Sequence, residues 1–341
     1  MDLPIRFLAS ATRDRVVSVD GAWGQPGLNI SHWPGNTTPT KLKHDLSTGV
    51  ALHFARLDRA ERDELARGCV AIANNHYDTD GVCALFAVRH PERALRVASE
   101  LLDVARAGDF FALPSERAFQ VDCVVNGLVD ADRSPWADRF SGLDDAARRE
   151  FVQRELVAML DEVVTGDLER WAPLWRGALD RLRLDRAALA AGARDEIAHL
   201  DLSIFTARAA PTFDPGRHAL FGSTSADRVL AIGERPDGAT YRFLIGTASW
   251  FDLVSRRPLP RPSLEDLARR LNELEGTAPS DAVAWRTHPT VTPSPELWFG
   301  RDDRPLFAEH APTLAPSRLA PREVRPLVLD ALRATWTFPD E

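Results

Sequence analysis

Short apolar runs alternate with helical patterns over about the first 130 residues of the chain. Three runs are rich in β-branched or apolar residues and end in polar ones, which predicts strands at residues 15–21 (RVVSVDG), 28–33 (LNISHW) and 68–75 (GCVAIANN). The longest helical pattern covers residues 90–110, with Pro91 suited to its first turn and Gly108 to the position just past its end. Strands that alternate with helices predict βαβ units, so we expect an α/β fold with a mostly parallel sheet.

The pattern changes after residue 135. Residues 140–200 carry long helical patterns with no clear strand, which predicts a helical connector. Residues 227–246 have the pattern of a hairpin that turns at Pro236-Asp237-Gly238, and a helix with a stripe of Leu267, Leu271 and Leu274 follows between Ser263 and Gly276. The proline-rich last residues are typical of a wrapped tail. The predicted regions are an α/β domain (1–135), a helical connector (136–204) and a smaller α/β domain (205–341).

Composition limits the kinds of protein this can be. A chain of 341 residues fits two domains, and 44% hydrophobic with 27% charged residues is typical of a globular protein. No apolar run approaches the roughly 20 residues that span a bilayer, and the first ten residues lack the regions of a signal peptide. We therefore expect a cytoplasmic protein with no membrane partner. The net charge of −8 argues against an extended nucleic-acid surface but allows a local basic pocket, while the oligomeric state is not indicated.

The stretch NNHYDTDG, residues 74–81, lies between two apolar runs. It brings together three acceptor side chains, His76, Asp78 and Asp80, which repel one another and are costly to desolvate unless a cation lies between them. Oxygen ligands with one imidazole suit manganese, magnesium or iron better than structural zinc. Asp20 and His32 follow the other two predicted strands, at the carboxyl ends where ligands bind to parallel sheets.

Simpler interpretations of the same residues exist. In a plain turn, the aspartates of D-x-D-G would cap a helix and the glycine would supply a positive φ. Asp109, directly after the expected helix end, could reach the site as a fourth carboxylate, or it could be an ordinary turn aspartate. Under this interpretation the chain would be an interaction protein whose carboxylate cluster is only a capped turn.

HYDTDG after a buried strand resembles the first motif of the DHH-type phosphoesterases, in which D-x-D-G binds manganese. This superfamily comprises single-strand exonucleases, oligoribonucleases, cyclic dinucleotide phosphodiesterases and exopolyphosphatases. VVSVDG (16–21) is similar to the family's strand that ends in a ligand aspartate, and ISHWPGN (30–36) to the strand that ends in Asp-His-His, with Ser31-His32-Trp33 in its place. In the family the D-x-D-G strand comes first. Here it comes later, so either the order is permuted or residues 68–81 match a later strand of the family.

The resemblance implies a metal-dependent phosphoester hydrolase that uses two ions, Mn²⁺ or Mg²⁺, bridged by Asp78 or Asp80. The remaining metal ligands would be His76, Asp20, His32 and Asp109, with His32 and His76 as the candidate catalytic residues. In the second domain Arg256 or Arg257 would bind the phosphate of a small phosphorylated or nucleotide-like substrate, unless this stretch is a solvated loop. The alternative implied by the altered Asp-His-His motif is a non-catalytic relative that binds a metal or a phosphorylated ligand.

Overall fold

A computed structural model describes residues 2–208, 213–303, 306–311 and 313–335 and confirms the predicted α/β fold class. The chain divides into two units. The first is Met1–Asp180 together with Phe251–Arg257, and the second is Arg181–Trp250 together with Pro258–Glu341. The division after Asp180 differs from the expected boundaries at residues 135 and 204.

The first unit is built on a four-stranded sheet in which all pairs are parallel, in the order β1-β4-β2-β3. Its strands are β1 (Ile5–Phe7), β2 (Val16–Val19), β3 (Gly27–Ile30) and β4 (Ile72–Asn74). Three of them, β2 to β4, lie where the apolar runs predict strands. The short strand β1 is an addition that the sequence pattern does not predict.

Helices make up the rest of the first unit. They are α1 (Ser47–Arg56), α2 (Arg59–Leu65), α3 (Thr79–Arg89), α4 (Pro91–Arg96), α5 (Ala98–Phe110), α6 (Glu116–Leu128), α7 (Asp145–Thr165) and α8 (Ala172–Ala191), of which α8 crosses into the second unit. Helix α3 is the central one, because its residues from Thr79 to Val88 are all buried. It packs against α1, α5 and α7.

The connection from β2 to β3 is unusually short for neighbouring parallel strands. Only residues 20–26 join them, whereas such crossovers commonly need a dozen or more residues. Left-handed backbone conformations allow so short a connection, with φ of 47° at Asp20, 70° at Gly24 and 121° at Gly27. Asp20 is therefore held in a conformation that aspartate and asparagine tolerate better than most residues do.

The predicted helix over residues 90–110 is two helices, α4 and α5, separated at Val97. Pro91 occupies the first turn as expected. The expected end at Gly108 is wrong, since α5 continues to Phe110 and Phe111 adopts the left-handed cap with φ of 51°. Gly108 serves packing instead, because a Cβ there would lie 2.8 Å from the Cβ of Thr79.

The second unit is built on a six-stranded mixed sheet in the order β5-β6-β7-β8-β10-β9. Its strands are β5 (Ala193–Ile197), β6 (Leu202–Arg208), β7 (Arg228–Arg235), β8 (Gly238–Ile245), β9 (Ala284–Thr287) and β10 (Glu296–Gly300), and its helices are α9 (Arg217–Phe221), α10 (Leu264–Glu275) and α11 (Pro321–Arg333). The predicted hairpin is confirmed as β7 and β8. The predicted helix is confirmed as α10, which Ser263 caps and Gly276 ends with φ of 75°.

Three expectations for the second half of the chain are wrong. Strand β5 lies inside the region expected to be helical, because it is an edge strand with four of its five residues exposed and so lacks an alternating apolar pattern. Leu274, expected in the stripe of α10, is 51% exposed. The proline-rich end contains helix α11, which has Pro321 in its first turn and buries Val324, Val328 and Leu332, whereas residues 336–341 lie outside the described part of the chain.

Candidate metal centre

Three parallel strands bring five of the predicted site residues to one edge of the first sheet. Asp20 directly follows β2, His32 lies two residues beyond β3, and the stretch from His76 to Asp80 links β4 to α3. The backbone N–H of Asp20 donates to the carbonyl of Ile30 at 2.9 Å, which aligns the ends of β2 and β3. Asp109 joins these residues from the last turn of α5.

The side chains form two groups that could each hold a metal ion. In both groups the potential ligand atoms all lie within 4.8 Å of one another. The inner set is Asp20, His32, Asp80 and Asp109, and the outer set is Asp20, His76 and Asp78. Asp20 is shared by the two sets, whereas the sequence suggests Asp78 or Asp80 as the bridging residue.

The inner set is closed off from water. The Nε2 atom of His32 lies 3.0 Å from Asp109 Oδ2 and 3.7 Å from both Asp20 Oδ1 and Asp80 Oδ2, and no side chain of the set is more than 6% exposed. One imidazole nitrogen therefore points into a group of three carboxylates.

The other nitrogen of His32 defines the state of the ring. Nδ1 lies 2.6 Å from the backbone carbonyl of Asp45, which can only accept, so Nδ1 carries a proton. Nε2 makes no hydrogen bond to any described residue. In the neutral imidazole its lone pair faces the carboxylates, which is the orientation of a histidine that binds a metal.

The outer set is more open. The Nε2 atom of His76 lies 2.9 Å from Asp20 Oδ2 and 3.0 Å from Asp78 Oδ2, and its Nδ1 lies 2.8 Å from Asn75 Oδ1. The side chains of His76 and Asp78 are 25% and 35% exposed. The ring of Trp33 lies 4.7 Å from that of His76. Part of this set is therefore in contact with solvent, unlike the inner set.

The crowded carboxylates perturb one another's ionisation. Burial and the charge of Asp78 raise the pKa of Asp20 to about 7, and burial and the charge of Asp80 raise the pKa of Asp109 well above its usual value. Burial would lower the pKa of His76, but the charges of Asp78 and Asp20 outweigh it and raise that pKa. Burial would raise the pKa of Asp78, but the charge of His76 and the hydrogen bonds to the carboxylate together outweigh it and lower that pKa to about 2. Positive charge is favoured at this point, and a cation could supply it in place of protons.

Asp80 has a second role that the sequence does not reveal. Its two oxygens accept hydrogen bonds from the backbone N–H groups of Ser47 at 2.7 Å and Thr48 at 2.8 Å, at the start of α1. The hydroxyl of Ser47 also donates to Asp20 Oδ1 at 2.8 Å. The local sequence pattern does not indicate these hydrogen bonds, because Ser47 and Thr48 look like ordinary residues at the start of a helix.

The capped-turn interpretation is correct in part. Asp78 is the N-cap of α3 and accepts from the N–H of Gly81 at 2.8 Å through Oδ1. Gly81, however, does not have a positive φ. It is needed for space, since a Cβ there would lie 2.2 Å from Asn74 Nδ2 and 3.0 Å from both Asp20 Oδ2 and Asp78 Oδ1. The same turn therefore caps α3 and also brings His76 and Asp78 close to Asp20.

Arg256 and Arg257, expected in a substrate-binding second domain, belong instead to the first unit. They end the segment Phe251–Arg257, where Arg256 is half-buried and Arg257 is exposed. The first residue of this segment, Phe251, stacks on His32 with ring centroids 3.8 Å apart and planes at 20°. The segment thus contacts the inner set through an aromatic ring.

The fold and the site together define an α/β protein with a carboxylate and histidine cluster at the carboxyl ends of parallel strands. The chain belongs to a family of unknown function, DUF6687, whose family model matches residues 4–341. No curated protein and no solved structure matches it. Among the described residues, no helix has both the length and the apolar character needed to cross a membrane.

Proposed function

We propose that this protein is a metal-dependent phosphoester hydrolase that uses two divalent ions, Mn²⁺ or Mg²⁺, on a small phosphorylated or nucleotide-like substrate. The observation that carries the proposal is the position of Asp20. Its Oδ1 faces His32 of the inner set and its Oδ2 faces His76 of the outer set. A carboxylate shared in this way is suited to bridge two ions.

The donor atoms fit this choice of metal. Both sets offer only carboxylate oxygens and imidazole nitrogens, which suit manganese and magnesium better than a thiolate-preferring ion. Two such ions, when bound, would lower the pKa of an attacking water and would stabilise charge on the phosphoryl oxygens. The residues of the inner set would hold the less accessible ion, while His76 and Asp78 would hold the ion nearer to the substrate.

The resemblance of HYDTDG to the DHH-type phosphoesterases supports the same reaction class. The altered motif Ser31-His32-Trp33 changes which residues would surround the ions. Ser31 is a structural residue here, because its hydroxyl oxygen accepts from the N–H groups of Gly21 at 3.1 Å and Trp33 at 3.0 Å. Asp109 provides a buried carboxylate beside His32 in addition to Asp20.

One observation favours the alternative of a non-catalytic relative that binds a metal or a phosphorylated ligand. The inner set is almost fully buried, so a substrate could contact only the outer set directly. A single ion bound in the inner set could stabilise the protein without any catalytic turnover.

The test is metal-dependent hydrolysis of a generic diester, bis(p-nitrophenyl) phosphate, by full-length protein stripped with chelator and then reloaded with Mn²⁺. We expect hydrolysis that requires Mn²⁺ and is lost in Asp20→Asn, since asparagine tolerates the left-handed backbone but removes the charge. The matched control is Asp144→Asn at the N-cap of α7, outside the site. Metal binding without turnover would support the alternative, and absence of metal binding would contradict both the hydrolase and a metal-binding relative.

A further inference from the structure

His32 is enclosed by a segment that comes from far along the chain. Phe251 stacks on the imidazole ring, and the N–H of Asp252 donates to the backbone carbonyl of His32 at 2.8 Å. Both the ring and the backbone of this residue are therefore in contact with the segment Phe251–Arg257, which we call the return segment.

Asp45 links the return segment to the protonated nitrogen of His32. Its backbone carbonyl accepts from His32 Nδ1 at 2.6 Å. Its side-chain Oδ1 accepts from the N–H groups of Val254 at 2.7 Å and Ser255 at 2.9 Å. The acceptor that fixes the tautomer of His32 is thus itself fixed by the return segment.

Two further contacts hold the return segment in place. The carboxylate of Asp252 accepts from the ammonium of Lys43 at 2.7 Å and from the side-chain amide of Asn36 at 3.0 Å. These bonds attach it to the stretch between His32 and α1. The return segment is therefore held by backbone and side-chain contacts with His32 and with the stretch that follows it.

We propose that the return segment positions His32 for metal binding and so raises the affinity of the inner set for a divalent ion. The inference rests on the proposed metal centre. Groups that orient a metal-binding histidine through its second nitrogen commonly change metal affinity by about 10- to 100-fold when they are lost. Loss of the contacts from the return segment would leave the ring less firmly oriented toward Asp20, Asp80 and Asp109.

The experiment measures Mn²⁺ affinity by calorimetric titration of full-length, chelator-stripped protein in two backgrounds. Asp78→Asn leaves only the inner set complete, and His32→Gln leaves only the outer set complete. In the first background, Asp45→Ala is expected to weaken Mn²⁺ binding by about 10- to 100-fold. In the second it should leave the affinity unchanged, which a general loss of structure would not do.

Further variants separate positioning from simple destabilisation. Asp45→Asn keeps a side-chain acceptor for Val254 and Ser255 and should restore binding. Phe251→Leu keeps an apolar side chain without the stacked ring and should weaken the inner set alone. Val254→Ala is the matched control, because its side chain is 57% exposed and its backbone N–H remains.

The outcomes are distinct. Unchanged affinity of the inner set in Asp45→Ala and Phe251→Leu would overturn the positioning role and leave the proposed function standing. Equal weakening in both backgrounds would also overturn it. A wild-type protein that binds no Mn²⁺ would overturn the proposed function together with the inference.

Discussion

The backbone N–H of Ser47 donates a hydrogen bond of 2.7 Å to Asp80, so the first residue of α1 is held by a carboxylate from the first turn of α3. Leu46, the residue at the N-cap position of α1, makes no side-chain cap bond. Asp80 replaces that cap from another helix and places negative charge where the helix dipole favours it. One aspartate therefore belongs to the candidate metal centre and also holds two helices together.

Replacing Asp80 with asparagine should destabilise the metal-free protein by about 1–2 kcal/mol. An amide offers only one oxygen, so one of the two N–H groups at the start of α1 would face a donor. Relief of repulsion from Asp20 and Asp109 opposes this loss. Urea unfolding with chelator present measures the difference, and a variant as stable as wild type would show that the lost capping bond does not outweigh the relief of repulsion.

Asp78→Asn should behave differently. Asparagine can still cap α3 through Oδ1, so the free energy of unfolding of the metal-free protein should stay within about 1 kcal/mol of wild type. The stabilisation that added Mn²⁺ gives should become smaller, because the outer set loses a charged ligand while the inner set stays complete. Thermal melts with Mn²⁺ and with chelator measure both effects. Asp144→Asn, at the cap of α7, should retain the full metal-dependent shift, and an equal shift in Asp78→Asn would argue against a metal at this turn.

Gly81→Ala should impair the site even though alanine is the better helix former. The added methyl group would meet Asn74 Nδ2, Asp20 Oδ2 and Asp78 Oδ1 together, so these groups would have to move apart. We expect weaker Mn²⁺ binding and lower stability. Gly177→Ala in α8 is the control, because nothing lies within 4 Å of its Cβ position, and it should stabilise the protein by about 0.5–1 kcal/mol. Equal effects of the two substitutions would contradict the packing role of Gly81.

In the second unit, Glu296→Gln should be strongly destabilising. The buried carboxylate of Glu296 accepts from the guanidinium groups of Arg217 and Arg242, which are also fully buried. Removing its charge would take from these two buried cations the carboxylate that they share, and breaking such a buried pair typically costs about 3–5 kcal/mol. Chemical denaturation measures the loss. The exposed pair of Arg269 and Glu273 provides the control, since Glu273→Gln should change stability by well under about 1 kcal/mol.

The same carboxylate should make stability depend on acid. Burial would raise the pKa of Glu296, but the charges of Arg242 and Arg217 outweigh it and lower that pKa from 4.5 to about 2. The stabilisation is therefore fully present above pH 4.5 and is lost as the pH falls toward about 2. The stability difference between wild type and Glu296→Gln should shrink over this interval in acid-dependent unfolding, and a constant difference would contradict the assignment.

The sequence pattern is sufficient to predict the position of a residue that closely follows an apolar strand. Asp20 and His32 come after β2 and β3, and because the carboxyl ends of parallel strands share one edge, their proximity to His76 follows from the fold class. Asp109 and Asp80 show where local pattern leaves the outcome open. The sequence allows Asp109 to be a fourth carboxylate or a turn aspartate, and it reaches the site because α5 continues past Gly108. The bonds from Asp80 to α1 depend on how two helices pack. The sequence pattern does not predict strand β5 for a related reason. Its pairing with β6 makes it a strand, and it has no alternating apolar pattern of its own.

The return segment also affects the order in which the protein can be built. Asp45 and Val254 contact each other although they are 209 residues apart along the chain. N-terminal domains generally fold first as a chain emerges from the ribosome, but here the surroundings of His32 include residues that are synthesised after strands β6 to β8. Closing so long a loop has an entropic cost that only late contacts can offset. The contacts around His32 are therefore complete only after most of the second sheet has been synthesised. Formation of the candidate metal centre thus depends on synthesis of the C-terminal half.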